Sequence, residues 1–452
     1  MWYLKLVFFQ FRKIASSISC TLESTDSKVQ LKGIYLITLF VTAILACGTE
    51  VTFSSDSSGY IEAGRLLASG NIDSIRTPLY PLFCYLLEIL LPDSLSYLVI
   101  NIVQYLVFLI SIYAFHYIGK YLIKSPSILF YATLIYACHP ATISWTRAIL
   151  TESFAISGIV FLAYSILRFI QKESYQTLFL INIILLLLIA LKPSFGYLLP
   201  IMLLLWCYLI FKNKKVVYIA GIGYIIGIII LILGYCYAYQ QKYEVFQPSY
   251  VSSLNQYYVL RESNLVESTY ANNLELKEDI DEFLLVKDTQ GGEIYYKEFF
   301  YLLENYGIST TQQFISTTLC NKSKGYAQAV LKHIQIGVSQ SSFITYVQPL
   351  SIEVKVMYKI LYFLFNPTFR FLYLFLSIYF IYLLYYSIKK KRIPMLSILI
   401  WLLIIANITT VVVGALGEWN RLITPSIPFV CLLVGQCLDQ FNMIPIKKTE
   451  LK

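Results

Sequence analysis

Long apolar runs separated by short polar gaps dominate the chain. The runs fall at about residues 33–53, 95–117, 127–140, 148–169, 175–191, 194–211, 216–238, 368–388, 394–416 and 422–440. A helix of about 20 apolar residues spans the hydrocarbon of a bilayer, and most of the runs approach that length. The pattern predicts an all-α polytopic membrane protein: a bundle of about ten transmembrane helices with an extracytoplasmic loop region. A further amphipathic stretch, Leu79 to Pro92, is interrupted by Pro81 and Glu88 and is placed at the membrane interface.

Composition agrees with this reading. Only 13% of the 452 residues are charged and 58% are hydrophobic, whereas a soluble domain carries roughly 25% charged residues. Most of the chain is therefore built to avoid water, which excludes a soluble enzyme. Tyr is abundant and Trp scarce, at 39 against 5; a Tyr ring suits the interface because its hydroxyl stays wet while the ring does not.

A net charge of +9 would fit nucleic acid if the cations formed one patch. They instead form short clusters in alternate gaps: Lys5 to Lys32, Lys120 and Lys124, Arg168 and Lys172, Lys212 to Lys215, Lys389 to Arg392, and Lys447 to Lys452. The other short gaps hold only Arg65, Arg76, Arg147, Lys192 and Arg421. The positive-inside rule then places both termini in the cytoplasm, and no nucleic-acid partner is expected. The N-terminal apolar stretch Leu6 to Phe9 is too short for a signal peptide and is broken by Gln10, Arg12 and Lys13.

The resulting organisation has five parts. Residues 1–32 form a basic cytoplasmic arm, and 33–238 an N-terminal transmembrane module whose first outer loop is 54–94. Residues 239–357 form an extracytoplasmic, mostly helical insert, too long and polar for a simple connector. Residues 358–440 carry the C-terminal transmembrane helices, and 441–452 a cytoplasmic tail. The nine cysteines contain no CxxC pair, and with three histidines neither a zinc site nor a histidine triad is expected.

Ionisable groups near a bilayer are costly, so they are the informative ones. With this topology Asp56, Glu62, Arg65, Asp73, Arg76, Arg147, Glu152, Lys192, Glu418 and Arg421 all reach the outer face. For Arg65, Arg147 or Lys192 taken singly, snorkelling to water is the plainer reading. The densest text is Asp56-Ser57-Ser58-Gly59-Tyr60-Ile61-Glu62-Ala63-Gly64-Arg65, continuing to Gly70 and then Arg76-Thr77-Pro78-Leu79-Tyr80-Pro81.

That passage resembles the first outer loop of the GT-C superfamily of membrane glycosyltransferases, in particular bacterial relatives of the protein O-mannosyltransferases and lipid A aminoarabinose transferases. His139-Pro140 with Leu150-Thr151-Glu152-Ser153 resembles the family's stretch around the fourth span. Leu191-Lys192-Pro193 stands where relatives often carry Arg-Pro, and Asn420-Arg421 with Pro425 and Pro428 is similar to the opening of a late span. Two departures stand out: Ser57 follows Asp56 where many relatives have Asp-Glu, and Leu422 follows Arg421 where Tyr is usual.

The resemblance implies a donor sugar carried on a polyprenyl phosphate and used at the non-cytoplasmic side of the plasma (inner) membrane. A glycan, lipid or protein hydroxyl would be the acceptor, with membrane lipid as the surrounding partner. It implies Asp56 as catalytic general base, and Arg421, Lys192 and Arg147 as cations for the donor phosphate. Arg76, Glu152, Glu418, Tyr60 and Tyr80 are the candidate substrate-binding residues. Glu152 either orients the acceptor or pairs with Arg147, and the two tyrosines either stack on sugar or pack at the interface. No cofactor is required by this reading, a divalent metal is allowed for, and Ser57 weakens the case for one held by paired carboxylates. A polysaccharide polymerase or a lipid-linked oligosaccharide flippase is the alternative function.

Overall fold

The computed structural model describes residues 21–47, 53, 55–286, 293–339, 369–390, 394–414 and 419–442, with Ile352 and Val356. Among them the regular structure is helical throughout. In chain order the helices are α1 (Ser27–Cys47), α2 (Ser55–Ala68), α3 (Leu79–Leu90), α4 (Asp93–Leu122), α5 (Pro126–Ala137), α6 (Pro140–Thr146), α7 (Glu152–Gln171), α8 (Tyr175–Leu191) and α9 (Leu198–Asn213). They continue with α10 (Val216–Tyr243), α11 (Val251–Glu262), α12 (Leu274–Leu285), α13 (Glu293–Asn321), α14 (Ser323–Ser339), α15 (Phe369–Lys390), α16 (Met395–Gly414), α17 (Trp419–Leu422) and α18 (Ile427–Asn442).

Five stretches of the described chain are long and apolar enough to cross a membrane: Ser27–Ala46, Leu95–Leu122, Glu152–Gln171, Pro193–Asn213 and Val216–Tyr243. Shorter apolar stretches are Leu79–Leu90, Pro126–Ala137, Tyr175–Leu191, Leu376–Lys389 and Met395–Val411. The run at 127–140 is split, because Pro140 cannot continue the helix before it. His139 caps α6 instead, its Nδ1 accepting the Ala141 amide at 3.2 Å. At 12 residues α5 extends about 18 Å, well short of a bilayer.

The first span starts earlier than its hydropathy predicts, inside the segment read as a basic arm. Its polar residues are accommodated by protein: Ser27 Oγ meets His116 Nε2 at 3.0 Å, and buried Gln30 donates to the Leu22 carbonyl at 2.6 Å. The rest of the predicted arm, 1–20, lies outside the described residues, as does the tail from 443. Span ten of the reading, 422–440, becomes α17, a 3-10 turn over Thr424–Ser426 and α18.

The membrane-embedded core gathers around α4 and α7, where Phe108 and Phe115 of the first and Ile159 and Leu162 of the second are buried with Tyr136 of α5 and Trp145 of α6. Small residues allow the outer elements to approach closely. A Cβ at Gly64 would stand 2.5 Å from the Pro81 carbonyl oxygen and 2.9 Å from Tyr85 Cβ, so glycine is what lets α2 lie against α3.

The described residues of the 239–357 segment are largely helical and have a core of their own. Tyr250, Tyr257, Leu276, Phe299, Leu302 and Phe314 are buried together. Within it Arg261 Nε donates to Glu298 Oε2 at 2.9 Å and the Tyr257 hydroxyl to the same oxygen at 3.0 Å. A buried carboxylate is tolerated here because both charge and lone pairs find partners. The helix α13 is kinked at Gly307, whose φ of 74° suits a residue without a Cβ.

Candidate active site

Four chain segments bring charged groups to one place, and helix ends decide which charge goes where. Asp56 lies in the first turn of α2 and Glu152 in the first turn of α7, where the exposed backbone N–H groups favour an anion. Lys192 is the residue on which α8 ends, and Arg421 sits in the last turn of α17; the carbonyl ends of helices favour cations. Lys192 is extended, at φ −147° and ψ 121°, as a residue before proline should be. Pro193 therefore ends α8 and turns the lysine out of the helical path.

The contacts form one chain of ion pairs. Arg76 donates to Asp56 Oδ1 at 2.6 Å, and Arg421 Nη1 to Asp56 Oδ2 at 2.6 Å. Arg421 Nε donates to Glu152 Oε1 at 2.5 Å, and Lys192 Nζ to the same oxygen at 2.7 Å. Arg421 is thus the bridge between the two carboxylates, and its planar guanidinium can serve both at once. The Glu152 side chain is 1% exposed, Arg421 6% and Asp56 25%, so the chain of charges runs from the interior to an accessible carboxylate.

Two physical consequences follow. Burial pushes the Asp56 carboxyl up, but the Arg76 and Arg421 guanidiniums outweigh it and bring it down to about 2. The five groups also carry three positive charges and two negative ones, so the cluster has an excess cation in a partly desolvated place. Glu152 Oε2, buried, has no hydrogen-bond partner among the described residues. A buried carboxylate oxygen in that state is an acceptor for a hydroxyl brought by something else.

The other predicted residues are distributed around this cluster. Tyr60 and Tyr80 meet edge to face at 4.9 Å, and the Arg76 guanidinium lies 4.5 Å from the Tyr60 ring centre. Both tyrosines are buried and the Tyr80 hydroxyl donates to Gln104 Oε1 at 2.9 Å, so they pack beneath the cluster. Arg147 is directed elsewhere: it donates to the Leu45 carbonyl at 2.9 Å, and the partners of Glu152 are Lys192 and Arg421. Arg65 pairs with Glu88 on the far side of α2. Glu418 lies outside the described residues.

Sequence reasoning missed Gln104 and the structural role of Asp73. Gln104 is fully buried and donates to the carbonyls of Thr146 and Ala148 at 3.2 and 2.8 Å, fixing the turn that leads to Glu152. Its signal was a polar amide within an apolar run. Asp73 Oδ1 accepts the amides of Ile75 and Arg76 at 2.8 and 2.5 Å, an Asx-type turn that sets the backbone carrying Arg76.

The described residues do not fit a metal held by carboxylates. Both Asp56 oxygens already accept from guanidinium groups, and Glu152 shares Arg421 with it. Ser57, the residue after Asp56, is buried and donates to the Ile149 carbonyl at 3.1 Å. Among the described residues no group of three His, Cys, Asp or Glu side chains could hold a metal.

Comparison with solved structures gives likenesses at the level of the fold. The chain is similar to the archaeal oligosaccharyltransferase AglB from Archaeoglobus fulgidus, solved in complex with an inhibitory peptide and a dolichol-phosphate. The TM-score is 0.48 and the identity 10%, over 92% of this chain and 51% of that one, so this chain spans about half the length of that protein. No family model and no curated protein matches the sequence.

Proposed function

We propose that the protein is a multi-pass membrane glycosyltransferase of GT-C type that transfers a sugar from a polyprenyl-phosphate carrier to an acceptor hydroxyl. The reaction belongs on the extracytoplasmic side, with both termini in the cytoplasm, and serves a cell-envelope glycan, lipid or protein. The observation that carries this reading is Arg421 bridging Asp56 and Glu152, with Arg76 and Lys192 completing a cluster that has one cation in excess. An accessible carboxylate beside an excess cation is what a hydroxyl nucleophile and a phosphate leaving group together require.

In the proposed step the acceptor hydroxyl gives its proton to Asp56 while its oxygen bonds to the anomeric carbon. The bond from that carbon to the phosphate oxygen breaks, and its electron pair leaves with the lipid phosphate. A single displacement inverts the anomeric centre. Negative charge grows on the phosphate as the bond breaks, so Arg421 and Lys192 stabilise the transition state more than the bound substrate.

Asp56 paired to two guanidiniums is ionised but weakly basic. A donor phosphate that draws Arg421 toward itself removes one of those cations, and the basicity of Asp56 rises as the donor arrives. Glu152 Oε2 remains as an acceptor for a donor sugar hydroxyl.

The test is transfer by purified protein from a panel of radiolabelled polyprenyl-phosphate sugars to envelope acceptors, with Asp56→Asn alongside. Product formed by the wild type and reduced about 10²- to 10⁴-fold in the variant is the expected result. Absence of product from every donor, with the protein folded, would turn the assignment toward a polymerase or flippase.

A further inference from the structure

The loop between α2 and α3 carries Arg76, and its backbone is held by the stretch that roots the insert in the membrane. The Tyr239 hydroxyl and the Tyr250 amide both donate to the Ser74 carbonyl, each at 2.8 Å. The Tyr243 hydroxyl donates to the Ile72 carbonyl at 2.5 Å, where Lys242 Nζ also donates at 2.8 Å. Ser249 Oγ donates to the Ile75 carbonyl at 2.5 Å. Three of the four carbonyls from Ile72 to Ile75 are therefore bound by residues 239–250, about 170 positions away in sequence.

These contacts are more than surface decoration. Tyr239 and Tyr250 are fully buried, so their polar groups would be costly if left unpaired. From the other side the Thr77 hydroxyl donates to the Leu191 carbonyl at 3.1 Å, which ties the same loop to the residue before Lys192. Between these two anchors Asp73 closes its turn onto the amides of Ile75 and Arg76. Arg76 emerges from a backbone fixed on both sides, which is what a guanidinium needs to present one nitrogen to Asp56 at 2.6 Å.

We infer that the root of the insert is a strap that positions Arg76: Tyr239, Tyr243 and Ser249 are positioning residues for the Asp56–Arg76 pair. This rests on the reading of that pair as part of the active site. The arrangement gives the insert a mechanical route to the catalytic carboxylate, since whatever displaces the root of the insert displaces the loop that carries Arg76. An acceptor seated on the insert would act on Arg76 by that route.

The test uses full-length protein with Tyr239→Phe, Tyr243→Phe and Ser249→Ala, singly and combined. Each removes a hydroxyl and leaves the packing volume nearly unchanged. Hydrogen exchange is measured across residues 71–77, with α4 and α7 as internal controls. Faster exchange at Ile75 and Arg76 by about tenfold is expected, because each lost hydrogen bond is worth about one such factor.

Turnover with labelled donor should fall by about tenfold while donor KM stays within twofold, and its acid limb should move to higher pH. Unchanged exchange in the triple variant would overturn the strap. Faster exchange with unchanged turnover, or slower turnover with an unmoved acid limb, would overturn the positioning role. Absence of transfer in wild-type protein would remove the glycosyltransferase reading, and the exchange data would still uphold or overturn the strap.

Discussion

Arg421 donates to Asp56 at 2.6 Å although 365 residues separate them, and through its Nε it also holds Glu152 at 2.5 Å. One side chain late in the chain thus links the first turn of α2 to the first turn of α7. A lysine has one ammonium and no fork, so it would serve one carboxylate better than two. For Arg421→Lys the expected outcome is donor KM raised about tenfold with membrane insertion intact. Arg421→Ala also leaves Glu152 with Lys192 alone, and should lower stability by about 3 kcal/mol, read from the thermal transition in detergent.

The pH dependence follows from the pairing of Asp56. Its carboxyl, ordinarily near 3.8, is brought down to about 2 by Arg76 and Arg421 against the upward push of burial. A lowered carboxyl contributes stability that is fully present above the unfolded value and is lost as pH falls from about 4 toward 2. Donor kcat/KM, which reports the free protein, should accordingly be flat from pH 7 to about 4 on its acid side. Arg76→Gln should move that limb upward; an unmoved limb would show that Asp56 is not the titrating group.

Gly64 is a test of how α2 is seated. The Cβ of any replacement would meet the Pro81 carbonyl oxygen at 2.5 Å, and that atom belongs to backbone, which yields little. Gly64→Val should cost about 2 kcal/mol and reduce transfer, because the displaced helix carries Asp56. Thermal stability and turnover measured together would check it. Gly33, with nothing near its would-be Cβ, is the control: Gly33→Ala should leave both unchanged.

Chelation separates a site run by guanidiniums from one run by metal. With both oxygens of Asp56 accepting from arginines, EDTA treatment should leave transfer within about twofold, and added Mn²⁺ should show no stoichiometric binding by calorimetry. Metal-dependent transfer would mean that Arg76 or Arg421 leaves Asp56 before the reaction.

Much of the fold was legible in the chain because membrane insertion is written in local hydropathy. The runs that became α4, α7 and α10 are apolar over at least a full span, and no tertiary contact is needed to recognise them. Asp56, Arg76, Glu152, Lys192 and Arg421 were also identifiable, since an ionisable group at the edge of an apolar run must have a reason to be there. The polar segment read as an insert carries, among its described residues, helices whose buried side chains form a separate core.

Pairing was a matter for the tertiary structure. The sequence put Arg421 ahead of Lys192 and Arg147 as a phosphate-binding cation without separating the latter two, and packing sent Arg421 and Lys192 to Glu152 while Arg147 turned to the Leu45 carbonyl. Tyr60 and Tyr80 could have faced sugar or protein; burial against Arg76 and Gln104 put them under the site. The strap from Tyr239 to Tyr250 onto Ile72 to Ile75 had no sequence signal, because its acceptors are backbone carbonyls, which every residue carries. Hydropathy along one chain decides where helices form and which side they face; which side chains meet across hundreds of residues depends on how those helices pack.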